Sequence, residues 1–246
     1  MREALVSDAL SIYTVDVEKL GTLSPDVILT QDLCDVCAVS LDDVRAAVAR
    51  MAHLTDVRVV SLRPTRLLDI FEDVTRVGKA LSLPQEAACL RACLESRLRW
   101  IAEKSSAAAW RPRVASVEWI EPLMLGGTWM PELIEIAGGS PVGVTAGHPA
   151  PTLVPGQLRE LAPDVVVIKP CGFPLGRALQ ESEAISRGIL AELNADARVY
   201  VTDGNAFFNR PGPRIVESVE ILAACAHPGV FPDFGEKHRA VIHPLR

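Results

Sequence analysis

The chain has 246 residues, 49% of them hydrophobic and 23% charged, with a formal net charge of −6. That balance excludes a disordered polymer, and the absence of a long basic run argues against nucleic acid as a partner. No apolar run reaches the about 20 residues of a membrane-crossing helix, MREALVSDAL (1–10) lacks the apolar centre of a signal peptide, and the six cysteines are too few for a dense disulfide scaffold. The expectation is a soluble chain forming one large domain or two small lobes, with its localisation left open.

The elements read as follows in chain order. A helix is expected over Arg2 to Leu10. DVILT (26–30), after Ser24-Pro25, is a short apolar strand. Ser40 with Asp43 resembles a capping box and opens a helix to about Ala52. VRVVSL (57–62) is a β-branched strand, and Leu67 to Leu81 is a helix with Leu67, Ile70, Phe71, Val74 and Val77 on one face. This βαβα rhythm predicts a parallel sheet with helical crossovers.

A longer helix follows. Ser82 with Gln85 fits a capping box, Pro84 suits the first turn, and the helix runs to about Lys104. Ala87, Leu90, Leu94, Leu98 and Ile101 form its apolar stripe; Arg91, Glu95, Arg99 and Glu103 form a charged face. At about 1.5 Å per residue it spans roughly 30 Å, long for a crossover. Ser105 to Trp110 reads as a loop.

Beyond it the βα rhythm restarts. PRVASVEW (112–119) is a strand; Met130 to Ala137 is a helix ending at Gly138-Gly139. A strand is expected at Val142 to Val144 and a short helix at Pro155 to Leu161. DVVVIK (164–169) is a buried strand, Leu175 to Leu193 a helix broken near Gly188, and ARVYVT (197–202) the last strand. Asp203 to Arg214, DGNAFFNRPGPR, lies between that strand and the apolar helical run Ile215 to Ala226. A strand end, a stiff loop and a helix start is where open α/β sheets place ligands. Gly204 offers backbone angles closed to other residues, and Pro211 and Pro213 stiffen the approach to the helix. The plainer alternative is a well-capped turn with one Phe in the core.

Leu-Ser-Pro-Asp-Val-Ile-Leu (23–29) and Leu-Ala-Pro-Asp-Val-Val-Val (161–167) are one segment type in two halves, which suggests two similar lobes joined by the long helix. The joining helix, these paired units, TQDLCDVCAVS (30–40), VEWIEPLMLGGTWMPELIEIAGG (117–139) and DGNAFFNRPGPR together resemble the cobalamin-binding branch of ABC-transporter substrate-binding proteins. This is the helical-backbone (class III) type that carries vitamin B12, haem or iron-siderophores. The resemblance implies an α/β fold with two Rossmann-like lobes, parallel sheets, one bridging helix and a ligand held between the lobes. The corresponding division is a lobe over 1–81, the bridging helix over 82–106 and a second lobe over 107–246.

The implied function is binding a corrinoid or related metal chelate and delivering it to the membrane subunit of a transporter, with haem or an iron-siderophore as the alternative ligand. Cobalamin or another chelate would be cargo; no built-in cofactor is implied, and such proteins usually face the periplasm or the cell exterior. The resemblance also marks Gln31 and Asp32 as ligand contacts. Relatives carry a further strand, a Pro-Ser loop and another β unit before the segment that starts this chain. The first lobe is therefore expected to be incomplete, its sheet edge completed by upstream sequence or by a second copy in a homodimer.

Trp119, Trp129, Phe173, Phe207 and Phe208 all fall at three predicted strand ends, out of 4 Trp, 2 Tyr and 6 Phe in the chain. Broad, flat ligands are held by aromatic walls with a few oriented polar groups. Trp119, Trp129, Phe173 and Phe207, with Phe208 as a weaker member, are candidate walls; Asn205 and Arg210 are candidate polar contacts, or braces of their own loop. Cys34 and Cys37 have CxxC spacing, but no second CxxC or His pair completes a zinc site. They lie ahead of the predicted helix start, so a loop signature, a thiol-redox or metallochaperone role in the cytoplasm, and metal binding all stay open. Cys89, Cys93, Cys171 and Cys225 read as small packed side chains. No nucleophile elbow, P-loop or dinucleotide fingerprint is present, so no enzyme activity is expected. Asp203 could be an acid or base, or the cap of the turn that presents Asn205.

Overall fold

The computed structural model describes residues 15–31, 41–49 and 57–246. The predicted helix over Arg2 to Leu10, the Ser40 cap, Asp32, Cys34 and Cys37 lie outside the described residues. Contacts divide the chain into two compact units, Met1–Pro64 with Phe71–Arg91 and Thr65–Ile70 with Ala92–Arg246.

In the first unit, α1 (Val17–Leu23) starts at Asp16, whose carboxylate accepts from the Lys19 N–H at 2.9 Å. Strands β1 (Val27–Gln31) and β2 (Arg58–Leu62) pair in parallel, Val27 opposite Arg58, with α2 (Leu41–Ala49) between them in sequence. None of the residues of these two strands is buried. Helix α3 (Leu67–Ala80) buries Leu67, Ile70 and Phe71, as its spacing predicts. Ser82 does not cap the next helix. It sits at φ 62° and its N–H bonds the Lys79 carbonyl, so it closes α3 in the left-handed position usual after a helix. A Cβ on Gly78 would lie 2.2 Å from Ala87 Cβ, so the glycine is what lets the end of α3 approach the start of α4 (Pro84–Ser106).

Helix α4 runs on into the second unit and takes in the first two residues expected in a loop, Ser105 and Ser106. Its buried stripe is Ala87, Leu94, Leu98 and Ile101; Leu90, expected there, is 40% exposed. Cys89 and Cys93 are also exposed, as is Cys171, and only Cys225 is packed as predicted; burial pushes its thiol pKa up. Being apolar enough to pack does not decide which side of a helix meets a neighbour.

The second unit holds a sheet of order β4-β3-β6-β7-β8, with β5 also on β3. Strands β3 (Arg113–Trp119), β6 (Val165–Ile168) and β7 (Arg198–Thr202) are parallel, with Val117 opposite Ile168 and Ile168 opposite Val201. The all-parallel expectation is corrected at both edges. Strand β4 (Met124–Leu125) turns straight back on β3, and β8 (Ile242–Pro244) returns beside β7, both antiparallel. These edges are two and three residues long, too short to show a period of two. Strand β5 (Ser140–Pro141) precedes the predicted position at Val142 to Val144.

Both faces of this sheet are covered. Ala115, Val117, Val166, Ile168, Val199 and Val201 share a core with Leu158 of α6 (Gln157–Glu160), Ala178 of α7 (Leu175–Leu179) and Ile185 of α8 (Ser182–Gly188). The helix predicted over Leu175 to Leu193 is thus broken twice. Gln180 and Glu181 donate to carbonyls three residues back, which ends α7 before α8 begins, and a 3₁₀ turn covers Leu190–Glu192. On the opposite face, α5 (Met130–Ile136) contacts α9 (Ile215–Ala226), and every α9 residue except Glu217 is buried. Helix α10 (Pro232–Lys237) packs on α9. Glu132 of α5 accepts from Arg66 Nη2 and from the Leu67 N–H, tying the start of α3 into this unit. Among the described residues no helix is long and apolar enough to cross a membrane.

Candidate functional site

Strands β3, β6 and β7 run side by side in one direction, so the segments after them emerge at one edge of the sheet. The two loops after β6 and β7 are joined through their backbones. The N–H groups of Gly204 and Asn205 both donate to the Phe173 carbonyl, at 2.9 and 3.1 Å, and Gly172 N–H reaches the Gly204 carbonyl at 3.3 Å. Gly204 is not one of the glycines with a positive φ. What it supplies is proximity: a Cβ there would lie 2.1 Å from the Pro170 carbonyl oxygen and 2.6 Å from that of Lys169. The unusual angle falls instead on Phe208, at φ 64°.

Asp203 caps this loop. Its Oδ1 accepts from the Asn205 and Ala206 N–H groups at 2.9 and 2.7 Å. Asn205 and Arg210 are brought together: Arg210 donates through Nη2 to Asn205 Oδ1 at 2.8 Å and through Nε to the Asn205 carbonyl. In this arrangement the guanidinium braces its own loop while remaining exposed.

The aromatic candidates separate into two groups. Trp119 and Phe173 meet edge to face with centroids 5.4 Å apart, both partly exposed. The Trp119 indole N–H donates to the Glu121 carbonyl at 2.9 Å, which fixes the ring. Arg177 lies over the Phe173 ring at 4.5 Å and pairs with Glu181 one turn on. Trp119, Ile120, Glu121, Pro170, Phe173 and Arg177 border a cavity of about 230 Å³. Arg177 and Glu181 were not among the residues the sequence marked; their spacing of four at the start of a helix following a strand was the available signal.

Trp129 and Phe208 are packed inside, at 6% and 1% exposure. The Trp129 indole N–H donates to the Phe208 carbonyl at 2.8 Å, and the Phe208 N–H donates to Ser218 Oγ at 2.8 Å. Phe207 is half-buried, in edge contact with Phe208 and with His238, and Arg214 lies over its ring at 5.8 Å. Trp129 therefore holds the strained residue of the loop from inside the fold. Trp129→Phe keeps most of the packing and orphans the Phe208 carbonyl, so it should cost about 1–3 kcal/mol in urea unfolding. An unchanged midpoint would show that the bond contributes nothing.

Gln31 is exposed at the end of β1 and belongs to the first unit. Among the described residues no three His, Cys, Asp or Glu side chains are grouped as a metal centre requires.

No family model matches the chain, and no curated protein matches it. Solved structures do. A periplasmic heme binding protein from Pseudomonas aeruginosa superposes with a TM-score of 0.68 at 20% identity, covering 95% of this chain and 78% of that one. The periplasmic heme-binding protein RhuT from Roseiflexus sp. RS-1 gives 0.68 at 17% identity, covering 90% and 82%. The periplasmic vitamin B12 binding protein BtuF of Vibrio cholerae gives 0.59 at 18% identity, covering 91% and 80%. These neighbours are binding proteins, not enzymes. At such identities the likeness speaks for the fold: the chain is an α/β protein with the fold of the helical-backbone (class III) periplasmic substrate-binding proteins.

Proposed function

We propose that this protein binds a corrinoid or a related metal chelate and delivers it to the membrane subunit of an ABC transporter. The observation that carries this reading is the aromatic corner of Trp119 and Phe173, with Arg177 seated on Phe173, at the strand-end edge of a substrate-binding-protein fold. Aromatic faces give a broad ligand apolar contact, and a guanidinium suits the amide or carboxylate edges that such chelates carry. Phe207 is the further wall we assign; Asn205 and Arg210 shape the loop that carries it. Haem is the second reading, favoured by the neighbours named for it, including the heme complex of IsdE from S. aureus and BhuT with two hemes.

Titration with cyanocobalamin, haemin and a ferric siderophore, followed by absorbance and tryptophan quenching, tests the proposal. One of the three should bind at micromolar concentration or tighter, and Trp119→Ala should weaken it about thirtyfold, the equivalent of about 2 kcal/mol. No binding by any of the three overturns the proposal; full affinity in Trp119→Ala removes the aromatic corner from it.

A further inference from the structure

Lys169 is among the largest fully buried side chains of the described residues, with 0% exposure, and it stands directly after β6, the strand between β3 and β7. An ammonium without water is retained only where partners compensate for the lost hydration. Its Nζ donates to Glu118 Oε2 at 3.1 Å and to Asn209 Oδ1 at 2.8 Å. Glu118 is the penultimate residue of β3, and Asn209 lies in the loop after β7. The Asn209 amide in turn donates to the Gly204 carbonyl at 2.9 Å and toward the Lys169 carbonyl at 3.5 Å. One cation thus joins the ends of three parallel strands.

The surroundings are shaped to admit it. A Cβ on Gly126 would stand 2.9 Å from Met130 Cγ, 3.1 Å from Lys169 Nζ and 3.2 Å from Ser116 Oγ, so the glycine leaves these three side chains uncrowded. Ser116 Oγ is buried there with no hydrogen-bond partner. An apolar side chain at 169 would fill the same volume without any desolvation penalty, and replacing buried ion pairs by apolar groups is often neutral or stabilising. Stability is therefore a poor reason for a lysine here. Geometry is a better one, because neither a methionine nor a leucine can hold Glu118 and Asn209 in fixed positions.

We infer that Lys169 is a positioning residue for the ligand-binding edge: it sets the loop bearing Phe207 in register with the strand end bearing Trp119. This inference rests on the proposed function for its consequence in binding, and on geometry alone for its consequence in loop order.

The test uses the full chain with Lys169→Met/Glu118→Gln, which removes both charges together, and with Asn209→Ala, which removes the loop partner but leaves the ion pair. Hydrogen exchange is read at residues 118–121 and 203–210 relative to the rest of the second unit, alongside thermal unfolding and titration with cyanocobalamin, haemin and a ferric siderophore. The double variant should keep its melting temperature while exchange at both segments accelerates about tenfold. Asn209→Ala should accelerate exchange at 203–210. Whichever probe the wild type binds should bind about tenfold more weakly to both variants. A purely structural Lys169 predicts uniform changes across the unit, so unchanged relative exchange in either folded variant overturns the inference. If the wild type binds none of the probes, the proposed function fails while the exchange measurement still decides the role of Lys169.

Discussion

Glu220→Ala is expected to destabilise the protein by about 3 kcal/mol at neutral pH, and that penalty is expected to vanish as the pH falls toward 2. Glu220 lies on α9 with its side chain 5% exposed and accepts from Arg97 at 2.7 Å, Lys237 at 2.6 Å and His238 at 2.8 Å. Since a carboxylate only accepts, His238 Nε2 carries the proton of its bond. Burial alone would raise the Glu220 pKa; the hydrogen bonds from His238, Lys237 and Arg97 outweigh it and bring the value from 4.5 down to about 2.

A carboxylate whose folded pKa is depressed contributes stability that is fully present above its unfolded value and is lost as pH falls through the folded one. The window is therefore between about pH 4.5 and about pH 2. A displacement of this size corresponds to about 3 kcal/mol. The truncation should sit at the low end for a broken buried pair, because Arg97 and Lys237 are 35% and 48% exposed and can regain water. Urea unfolding of both proteins at a series of pH values checks this. A difference between them that stays constant from pH 7 to pH 2 would refute the electrostatic account and leave only lost packing.

Gly204→Ala is the second large effect. The added methyl would meet three atoms of backbone, the Pro170 oxygen at 2.1 Å and the Lys169 oxygen and carbon at 2.6 and 2.7 Å. Backbone cannot swing aside as the end of a flexible side chain can, so the loops after β6 and β7 must separate. That breaks the bonds from Gly204 and Asn205 to Phe173. A loss of about 3 kcal/mol is expected, at the upper end for overpacking. Gly176, with open space around its missing Cβ, is the control, and Gly176→Ala should not destabilise the fold. Equal melting temperatures for Gly204→Ala and wild type would show that the two loops are not locked together.

Much of the chain was legible one element at a time. Leu67, Ile70 and Phe71 repeat at helical spacing and are buried together; the unbroken run Val165–Ile168 is buried on both faces; Asp203 caps the turn ahead of Asn205. Each follows from neighbours in sequence, where periodicity and capping act. The gathering of Trp119, Phe173 and Phe207 at strand ends was also visible, because an alternating β/α order puts all those ends on one edge.

What tertiary structure alone decided was the environment on each side of those elements. Trp119 and Trp129 look alike in sequence, yet the first borders a cavity and the second is packed under Phe208. Leu90 fits the apolar stripe of α4 but is exposed, while Lys169, directly after an apolar strand, is fully buried. The short strands β4 and β8 took antiparallel places because an open sheet edge was beside them, not because two or three residues encode a direction. Local pattern determines which residues a chain can bury. Which of them are buried, and against what, depends on partners 40 to 120 residues away, such as Asn209 for Lys169 and Glu217 for Arg97.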